Sequence, residues 1–555
     1  MPFLQHLGKF ITTKKVILKD MLTTLSFYLM IGLFYVSGIL LVLMITSHDS
    51  IINLPLIKDK LYGLASMALI RQVPSLMLGF SLLVCGRAIA NRVRQAFYPT
   101  LVFLALALLY TIFFYRSSFP SYLLGFLMVA LWISRHHLYR QQFIISHEEG
   151  FLDGAIWLFL LASYVILGYT NLVDPRRVPR VSLEKHFSVP SFHWWLTGFL
   201  TLFLIVVVVV VFLTILKRQR HQIGSVFDAE RYQALCALGD HHYTGLAYLG
   251  DKRIWYYQVN GQDKLGLQFK PYKEFLLVMG DFIGDKAYLE EGLMAFMTEA
   301  DLYHFRPVFY EIPEKTVLAV HDFGFDFMKL GEEGLVKPEE FSISGKKRQN
   351  LRSVVNQVDK SGHQFTITAP PHSADLLAEL EEVSTDWLNG RREMGFSLGY
   401  FSANYLAHAD LALIRSQQGK LVAFASLETS QSEQSLLVDL MRYAHDAPKG
   451  IMDVLFIKII QYAKEQGLEW FNMGMSPLAN VGNYRFSFVT ERMGYLLYQL
   501  GSQIYSFEGL RHYKAKFAKT WEPYYIAYSK HSNFFVVVLA LMKASYDLME
   551  NRSRK

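Results

Sequence analysis

Ser435-Leu-Leu-Val-Asp-Leu-Met-Arg-Tyr-Ala-His-Asp-Ala-Pro-Lys-Gly-Ile-Met-Asp-Val454 is the stretch from which the fold can be read. The apolar run Leu436–Val438 reads as a buried strand, and it leads into Asp439 and Arg442. The turn Ala447-Pro448-Lys449-Gly450 follows, and then a helix. Met452, Leu455, Phe456, Ile459, Ile460 and Ala463 recur at i, i+3, i+4, i+7 and i+8, which makes one buried stripe. Asp453 falls in the first turn, where a carboxylate suits the helix dipole. Charged groups at the mouth of a strand, beside a helix N-terminus, are a common seat of chemistry in α/β proteins. A structural ion pair at a strand end is the competing reading.

On either side of this window the strand and helix signals form a repeating rhythm. Strand-like runs fall at 243–249, 253–259, 266–269 and 275–280, then a helix at 286–302 and a strand at 307–310. A second block has helices at 374–388 and 451–465, with strands near 364–367, 411–415, 421–428, 435–440 and 470–473. Two passes through strands, helix and strand predict two tandem N-acetyltransferase-like (GNAT-like) units of α/β (α+β) class. The acyl-CoA version of that fold carries a glycine-rich phosphate loop at the start of its main helix. The loop here has one glycine, Gly450, too few for a pyrophosphate cradle.

The N-terminal part is of another kind. Of the 555 residues, 52% are hydrophobic, and the apolar excess lies before about residue 217. Six spans are expected, at 21–45, 61–85, 97–115, 120–134, 153–169 and 194–216; a span takes about 20 apolar residues. Basic clusters at Lys9–Lys19, Arg87–Arg94, Arg135–Arg140 and Lys217–Arg220 fall on alternate loops, so both termini and the soluble part are assigned to the cytoplasm. The loop with Arg176, Arg177, Arg180 and Lys185 dissents from this pattern, and Arg71 lies inside the second span. The expected organisation is a transmembrane domain at 1–220, a first unit at 225–340, a basic linking helix at 341–360, a second, catalytic unit at 361–530 and a tail at 531–555.

The formal net charge of +7 permits a phosphate-rich partner, nucleic acid or anionic lipid. Two cysteines, Cys85 and Cys236, exclude a disulfide framework and supply no metal-ligand spacing. Two segments concentrate basic residues. In 341–358, Lys346, Lys347, Arg348 and Arg352 crowd the first turns of a helix, against its dipole, which points to an anionic partner. In 505–517, Arg511, Lys514 and Lys516 alternate with aromatics, so they suit a phosphodiester while Tyr513 or Trp521 stacks. A solvated face and a packed amphipathic segment are the respective competing readings.

Five stretches together resemble the bacterial phosphatidylglycerol lysyltransferases, the multiple peptide resistance factor family. They are FSISGKKRQNLR (341–352), the run from Trp387 to Phe401, VDLMRYAHDAPKGIMD (438–453), NMGMSPL (472–478) and YSFEGLRHYKAKFAKTWEPYY (505–525). The resemblance covers about 225–530. It implies an aminoacyl-tRNA donor, phosphatidylglycerol as acceptor and a cationic product lipid that resists cationic antimicrobial peptides. It also implies important roles for Asp439, Arg442 and Lys514. Longer members carry further N-terminal spans that form a lipid flippase, and six spans leave no room for them.

Ester exchange is nearly isoenergetic, so no ATP, metal or cofactor is required, and approximation of bound substrates supplies much of the barrier lowering. Arg442 or a lysine suits a developing oxyanion, and Asp439 an attacking hydroxyl or an α-ammonium. Residues three apart on a regular strand face opposite ways, so a shared site predicts a break near Met441. Two rival functions remain. One is a tRNA-dependent transferase acting on a peptidoglycan lipid precursor, for which six spans are superfluous. The other is a transporter with a regulatory domain, against which the scarcity of intramembrane charge argues. The amino acid transferred, lysine by family, and a homo-oligomeric state are left open by the residues themselves.

Overall fold

The computed structural model describes residues 21–38, 72–110, 112, 118–170, 192–216, 221–500, 507–530 and 532–547. The chain divides into two compact units, one formed by Met1–His221 with Asp301–His304 and one by the remainder.

In the first unit, helices Met21–Gly38, Gln72–Ala90, Phe97–Tyr110, Ser118–Ile133, His147–Thr170 and Phe192–Leu216 overlap the six expected spans, and parts of the first three spans (39–45, 61–71, 111 and 113–115) lie outside the described residues. Among the described residues, Met21–Gly38 and Glu148–Ile166 are long and apolar enough to cross a membrane. Arg87 donates to Asp153 at 2.9 Å and lies 3.7 Å from Glu149, so this buried-side cation is paired. Arg71, the lysines at 9–19, the basic loop at 176–185 and the cluster at 217–220 lie outside the described residues.

The second unit is built on one mixed sheet of twelve strands in the order β1-β2-β3-β4-β5-β12-β6-β11-β10-β9-β8-β7. The strands are β1 Ser225–Val226, β2 Arg253–Val259, β3 Gln262–Tyr272, β4 Phe275–Gly284, β5 Arg306–Pro313, β6 Phe325–Val336, β7 Gln364–Thr368, β8 Asp410–Arg415, β9 Leu421–Ser430, β10 Ser435–Tyr443, β11 Trp470–Pro477 and β12 Thr520–Ser529. The stretch 243–249, expected as a strand, is a 3-10 turn over Thr244–Leu249 that ends on left-handed Gly250.

The sheet is two acetyltransferase-like halves joined at their last strands. In each half an antiparallel meander leads to a helix and then a parallel strand: β4 with β5, and β10 with β11. The final strands are exchanged. β6 pairs with β11 of the later half, while β12 returns to pair with β5 of the earlier one, and β6 and β12 pair with each other. Neither half can therefore close its sheet without the other.

Five helices position the site: α1 Gln349–Lys360, α2 Ala374–Leu388, α3 Ile451–Glu465, α4 Phe507–Lys514 and α5 Phe534–Tyr546. α1 and α3 cover one face, where Leu351, Val355 and Val358 meet Leu455, Phe456 and Ile459. α2 and α5 contribute to the core on the other face through Leu380, Val383, Val537 and Leu541. Each such side chain adds about 1.5–3 kcal/mol when fully buried. Ser373 caps α2 by accepting from Leu376 N at 3.2 Å, and Asn389 ends it in the left-handed region. Gly450 begins α3 with φ +81°, and a Cβ there would lie 2.6 Å from Val354 Cγ1. The lone glycine of the 447–450 turn is thus required by backbone shape and by packing on α1.

Candidate active site

Parallel pairing of β10 with β11 spans Ser435–Leu437 and then ends. Beyond that point β10 bulges. Its register with β9 shifts between Val438 and Met441, so three steps on β10 match two on β9. Leu436, Val438 and Met441 pack into the core under α3, whereas Leu437 and Leu440 pack into the opposite core. The extra residue brings Arg442 round to the face that carries Asp439. The amide of Leu440, orphaned by the bulge, donates to Ser426 Oγ at 3.0 Å. Ser426 Oγ lies 3.3 Å from Tyr405 OH, which donates to Asp439 Oδ2 at 2.6 Å. Asp439 Oδ1 accepts from Gly399 N at 3.1 Å. Gly399 has no room for a side chain, since a Cβ would sit 1.9 Å from Asp439 Oδ2.

Arg442 lies with its guanidinium 4.1 Å from the Trp387 ring centroid and its Nη2 3.4 Å from Glu393 Oε1. Its Nη1 donates to Met441 O at 2.8 Å, and its buried Nε has no hydrogen-bond partner. Burial pulls the Arg442 pKa down against the attraction of Glu393, and burial raises that of Asp439 against the donors Tyr405 and Gly399. Each feels the other's charge, although no ion pair joins them among the described residues.

Lys514, at the end of α4, is 7% exposed and donates to Gly474 O at 3.0 Å and Met475 O at 2.7 Å. Those carbonyls belong to a second bulge, where the β11 register with β6 shifts between Asn472 and Met475 and Gly474 has φ +74°. Burial lowers the Lys514 pKa to about 8, with Glu333 and Glu311 opposing the shift. Asn472 ties the region together. Its Oδ1 accepts from Gly474 N at 2.7 Å, and its Nδ2 donates to Glu333 Oε2 at 2.7 Å. Glu333 also accepts from Tyr243 and meets His242, whose other ring nitrogen lies 2.7 Å from Glu433. Burial opposes ionisation of Glu333, but His242, Tyr243 and Asn472 hold its pKa below the usual value.

A third bulge, in β5, places Glu311. Ile312 and Tyr310 pair with successive residues of β12, leaving Glu311 between them at φ +58°. The side chain is buried, its Oε2 has no hydrogen-bond partner, and burial with the nearby Glu333 raises its pKa well above the ordinary range. Glu311 is electrostatically coupled to both Asp439 and Lys514. A left-handed glutamate with an unpaired buried oxygen is costly, which marks the position as a functional candidate.

The basic residues expected to meet phosphate have diverse fates. Arg348 donates to Lys516 O at 2.8 Å, which brings the 341–352 and 505–525 segments side by side. Arg352 donates to Ile343 O and Gly345 O, both at 2.6 Å, and so braces its own loop. Arg511 pairs with Glu332 at 3.1 Å over the Trp521 ring, and Lys516 lies 3.6 Å from Asp453. Tyr513 packs against Phe456 and Phe517, which engages its ring in the core. Lys346 is exposed, and the side chain of Lys347 lies outside the described residues. The partners Tyr405, Glu311 and Glu333 lie outside every stretch singled out from the sequence, and Glu393 lies inside the 387–401 run without being named there. Trp387 and Gly399 fall within the recognised 387–401 run, but their contacts were not foreseen. No group of three or more His, Cys, Asp or Glu side chains suited to a metal occurs among the described residues.

Comparison with known proteins gives a consistent result. Residues 233–528 match the family model described as phosphatidylglycerol lysyltransferase, C-terminal. The phosphatidylglycerol lysyltransferase of Bacillus subtilis (strain 168) is 34% identical over 426 residues, 76% of this chain and 49% of that protein. That of Staphylococcus aureus (strain MRSA252) is 32% identical over 363 residues, 65% of this chain and 42% of that protein. The chain spans about half the length of these curated relatives. Among solved structures, L-PGS from Bacillus licheniformis is 36% identical, with a TM-score of 0.53, and covers 59% of this chain and 99% of its own. The C-terminal domain of a putative lysylphosphatidylglycerol synthetase from Agrobacterium fabrum is 30% identical, with a TM-score of 0.51, over 57% of this chain and 96% of its own.

Proposed function

Because the chain belongs to the phosphatidylglycerol lysyltransferase family, we propose that it moves an aminoacyl group, lysyl by family, from a charged tRNA to the headgroup glycerol of phosphatidylglycerol. The product is a cationic lipid that lowers the negative charge of the membrane and resists cationic antimicrobial peptides. The six apolar helices form a multi-pass membrane anchor in this reading, with both termini and the catalytic unit in the cytoplasm.

The lipid hydroxyl attacks the carbonyl carbon of the aminoacyl ester. A new C–O bond forms to the headgroup and the C–O bond to the tRNA ribose breaks; the hydroxyl proton goes to Asp439, the released ribose oxygen takes one from Lys514, and proton exchange with solvent resets both groups. Asp439, held by Tyr405 and Gly399, orients the attacking hydroxyl and receives its proton. Arg442, kept planar against Trp387 and short of a partner at Nε, faces the developing oxyanion. Lys514, whose pKa is lowered to about 8 by burial, is poised to give a proton to the leaving oxygen near neutral pH. Lys346, Lys347, Arg348 and Lys516 sit on the segment pair that would take phosphate from tRNA or lipid.

The observation that carries this reading is the bulge in β10, which supports a shared Asp439–Arg442 site. The test incubates membranes holding the chain with tRNA charged with each amino acid in turn, followed by thin-layer separation of the lipids. A labelled phosphatidylglycerol derivative with lysyl-tRNA, absent from Asp439→Ala, is the expected result. No labelled lipid with any charged tRNA would overturn it.

A further inference from the structure

Past β11 the chain makes a loop whose base is tightly held and whose tip is bare. Leu478 N donates to Leu330 O at 2.7 Å, and Asn480 Nδ2 donates to Glu332 at 2.9 Å. Ala479 and Val481 are buried. Gly482, at φ +70°, leaves no space beside the opposite limb, where a Cβ would lie 2.1 Å from Glu491 O. The two ends of 483–490 are thereby clamped together, and Arg492 N bonds Phe488 O at 3.0 Å as a helix begins at Val489. The tip carries Tyr484, Phe486, Phe488 and Val489, exposed by 79%, 91%, 77% and 73%. Nowhere else among the described residues of 222–547 do four exposed large apolar side chains fall within six consecutive positions. Arg485 and Arg492 flank them, against the single carboxylate Glu491.

We propose that the 483–489 loop is an interfacial anchor that sets its aromatic tip into the surface of an anionic bilayer. Four apolar side chains on a rigid base are a wedge, and exposed apolar clusters of this kind mark interaction sites. Tyrosine and phenylalanine with arginine beside them suit the boundary between headgroups and acyl chains, where apolar burial and attraction to anionic lipid add. A nucleic-acid platform would need a basic groove around its stacking rings, and the tip itself offers only Arg485. The loop follows directly on the stretch whose carbonyls hold Lys514, Gly474 and Met475. An anchored tip therefore sets the height of the catalytic bulges above the lipid surface. The inference rests on the proposed acceptor only for the source of that lipid.

The test uses the full chain in nanodiscs, with a nitroxide at Phe486→Cys in a Cys85→Ser, Cys236→Ser background and a control label at Gln418→Cys on the exposed turn between β8 and β9. Power-saturation EPR compares collision with oxygen, which partitions into lipid, and with a water-soluble nickel chelate. In discs of phosphatidylglycerol and phosphatidylcholine, position 486 should favour oxygen and exclude nickel, while position 418 stays aqueous. Exclusion should weaken in pure phosphatidylcholine. Nickel access at 486 equal to the control, equal insertion in both lipids, exclusion already complete in detergent, or exclusion only on adding tRNA would each overturn the proposal. A second arm uses Phe486→Ser/Phe488→Ser. It should raise the phosphatidylglycerol content needed for half-maximal rate in discs and leave the rate on short-chain phosphatidylglycerol in micelles unchanged; loss on both substrates overturns the proposal. If the parent chain makes no aminoacyl lipid at all, the functional reading fails while the EPR result still decides the anchor.

Discussion

Replacing Tyr405 by phenylalanine removes one hydroxyl and nothing else from the candidate site. That hydroxyl donates to Asp439 Oδ2 at 2.6 Å and lies 3.3 Å from Ser426 Oγ. The ring is fully buried, so the perturbation falls on the groups around the hydroxyl, Asp439 first and also Ser426 and the buried Glu428. A hydrogen bond to a charged acceptor is worth about 1.5–3 kcal/mol. If Asp439 must be ionised and aligned, the rate should fall by roughly 10- to 150-fold, since each 1.36 kcal/mol is a factor of ten. The pH dependence should move as well. Burial already raises the Asp439 pKa, and the Tyr405 hydrogen bond offsets that rise. Without it the pKa climbs further, and the acid limb of the rate profile shifts to higher pH with it. Aminoacyl esters survive mildly acidic buffers, so initial rates of labelled-lipid formation can be followed across that limb. A wild-type rate with an unmoved acid limb would refute the assignment of Asp439 as the ionised group that Tyr405 sustains.

Three further outcomes follow from the same geometry. Gly399→Ala puts a methyl 1.9 Å from Asp439 Oδ2, so lipid aminoacylation should drop at least as far as in Tyr405→Phe, and a near-normal rate would show that the carboxylate position is not critical. Arg442→Lys keeps the charge but loses the planar stack on Trp387 and the fork, and it should cost roughly 10- to 100-fold in rate with little change in melting temperature; full activity would remove Arg442 from the oxyanion role. Glu311→Gln reports on stability. The Glu311 pKa is raised in the folded state, so its stabilising contribution is complete below the unfolded value near 4.5 and is lost as pH rises toward the folded one. The variant should thus gain in melting temperature relative to the parent between pH 5 and pH 8, and a difference that does not change with pH would refute a neutral buried Glu311.

Much of the fold was written locally. The stripe along α3, the alternation of strands and the six apolar runs are periodicities of neighbouring residues, and the helices and most strands fall where those periods place them. The single glycine of the 447–450 turn has a reason that no local pattern shows, its close approach to Val354. The segment 243–249 misled because its apolar residues suit a 3-10 turn packed on the core as well as they suit a strand. The need for a break in β10 could be argued from a side-chain period of two, and the register shift lies at Val438–Met441. The expected phosphate ligands show the limit of composition. Arg352 and Arg511 have the same charge as Lys346, yet they are engaged by Gly345 O and by Glu332.

The sequence by itself determined the α/β class of the second unit and its tandem rhythm, because local periodicity depends on residues within a turn or two of one another. Asp439 and Arg442 stood out as charges at a strand mouth, and Lys514 was implied by the family resemblance. Only the tertiary structure decided what surrounds them. The exchange of β6 and β12 between halves brings Glu311 and Glu333 from the first pass of the chain to the lysine and the aspartate of the second. Tyr405 and Gly399 reach Asp439 across 34 and 40 residues of chain. No local pattern encodes such meetings, because they are set by strand order and by three bulges whose cost is met by packing elsewhere in the sheet.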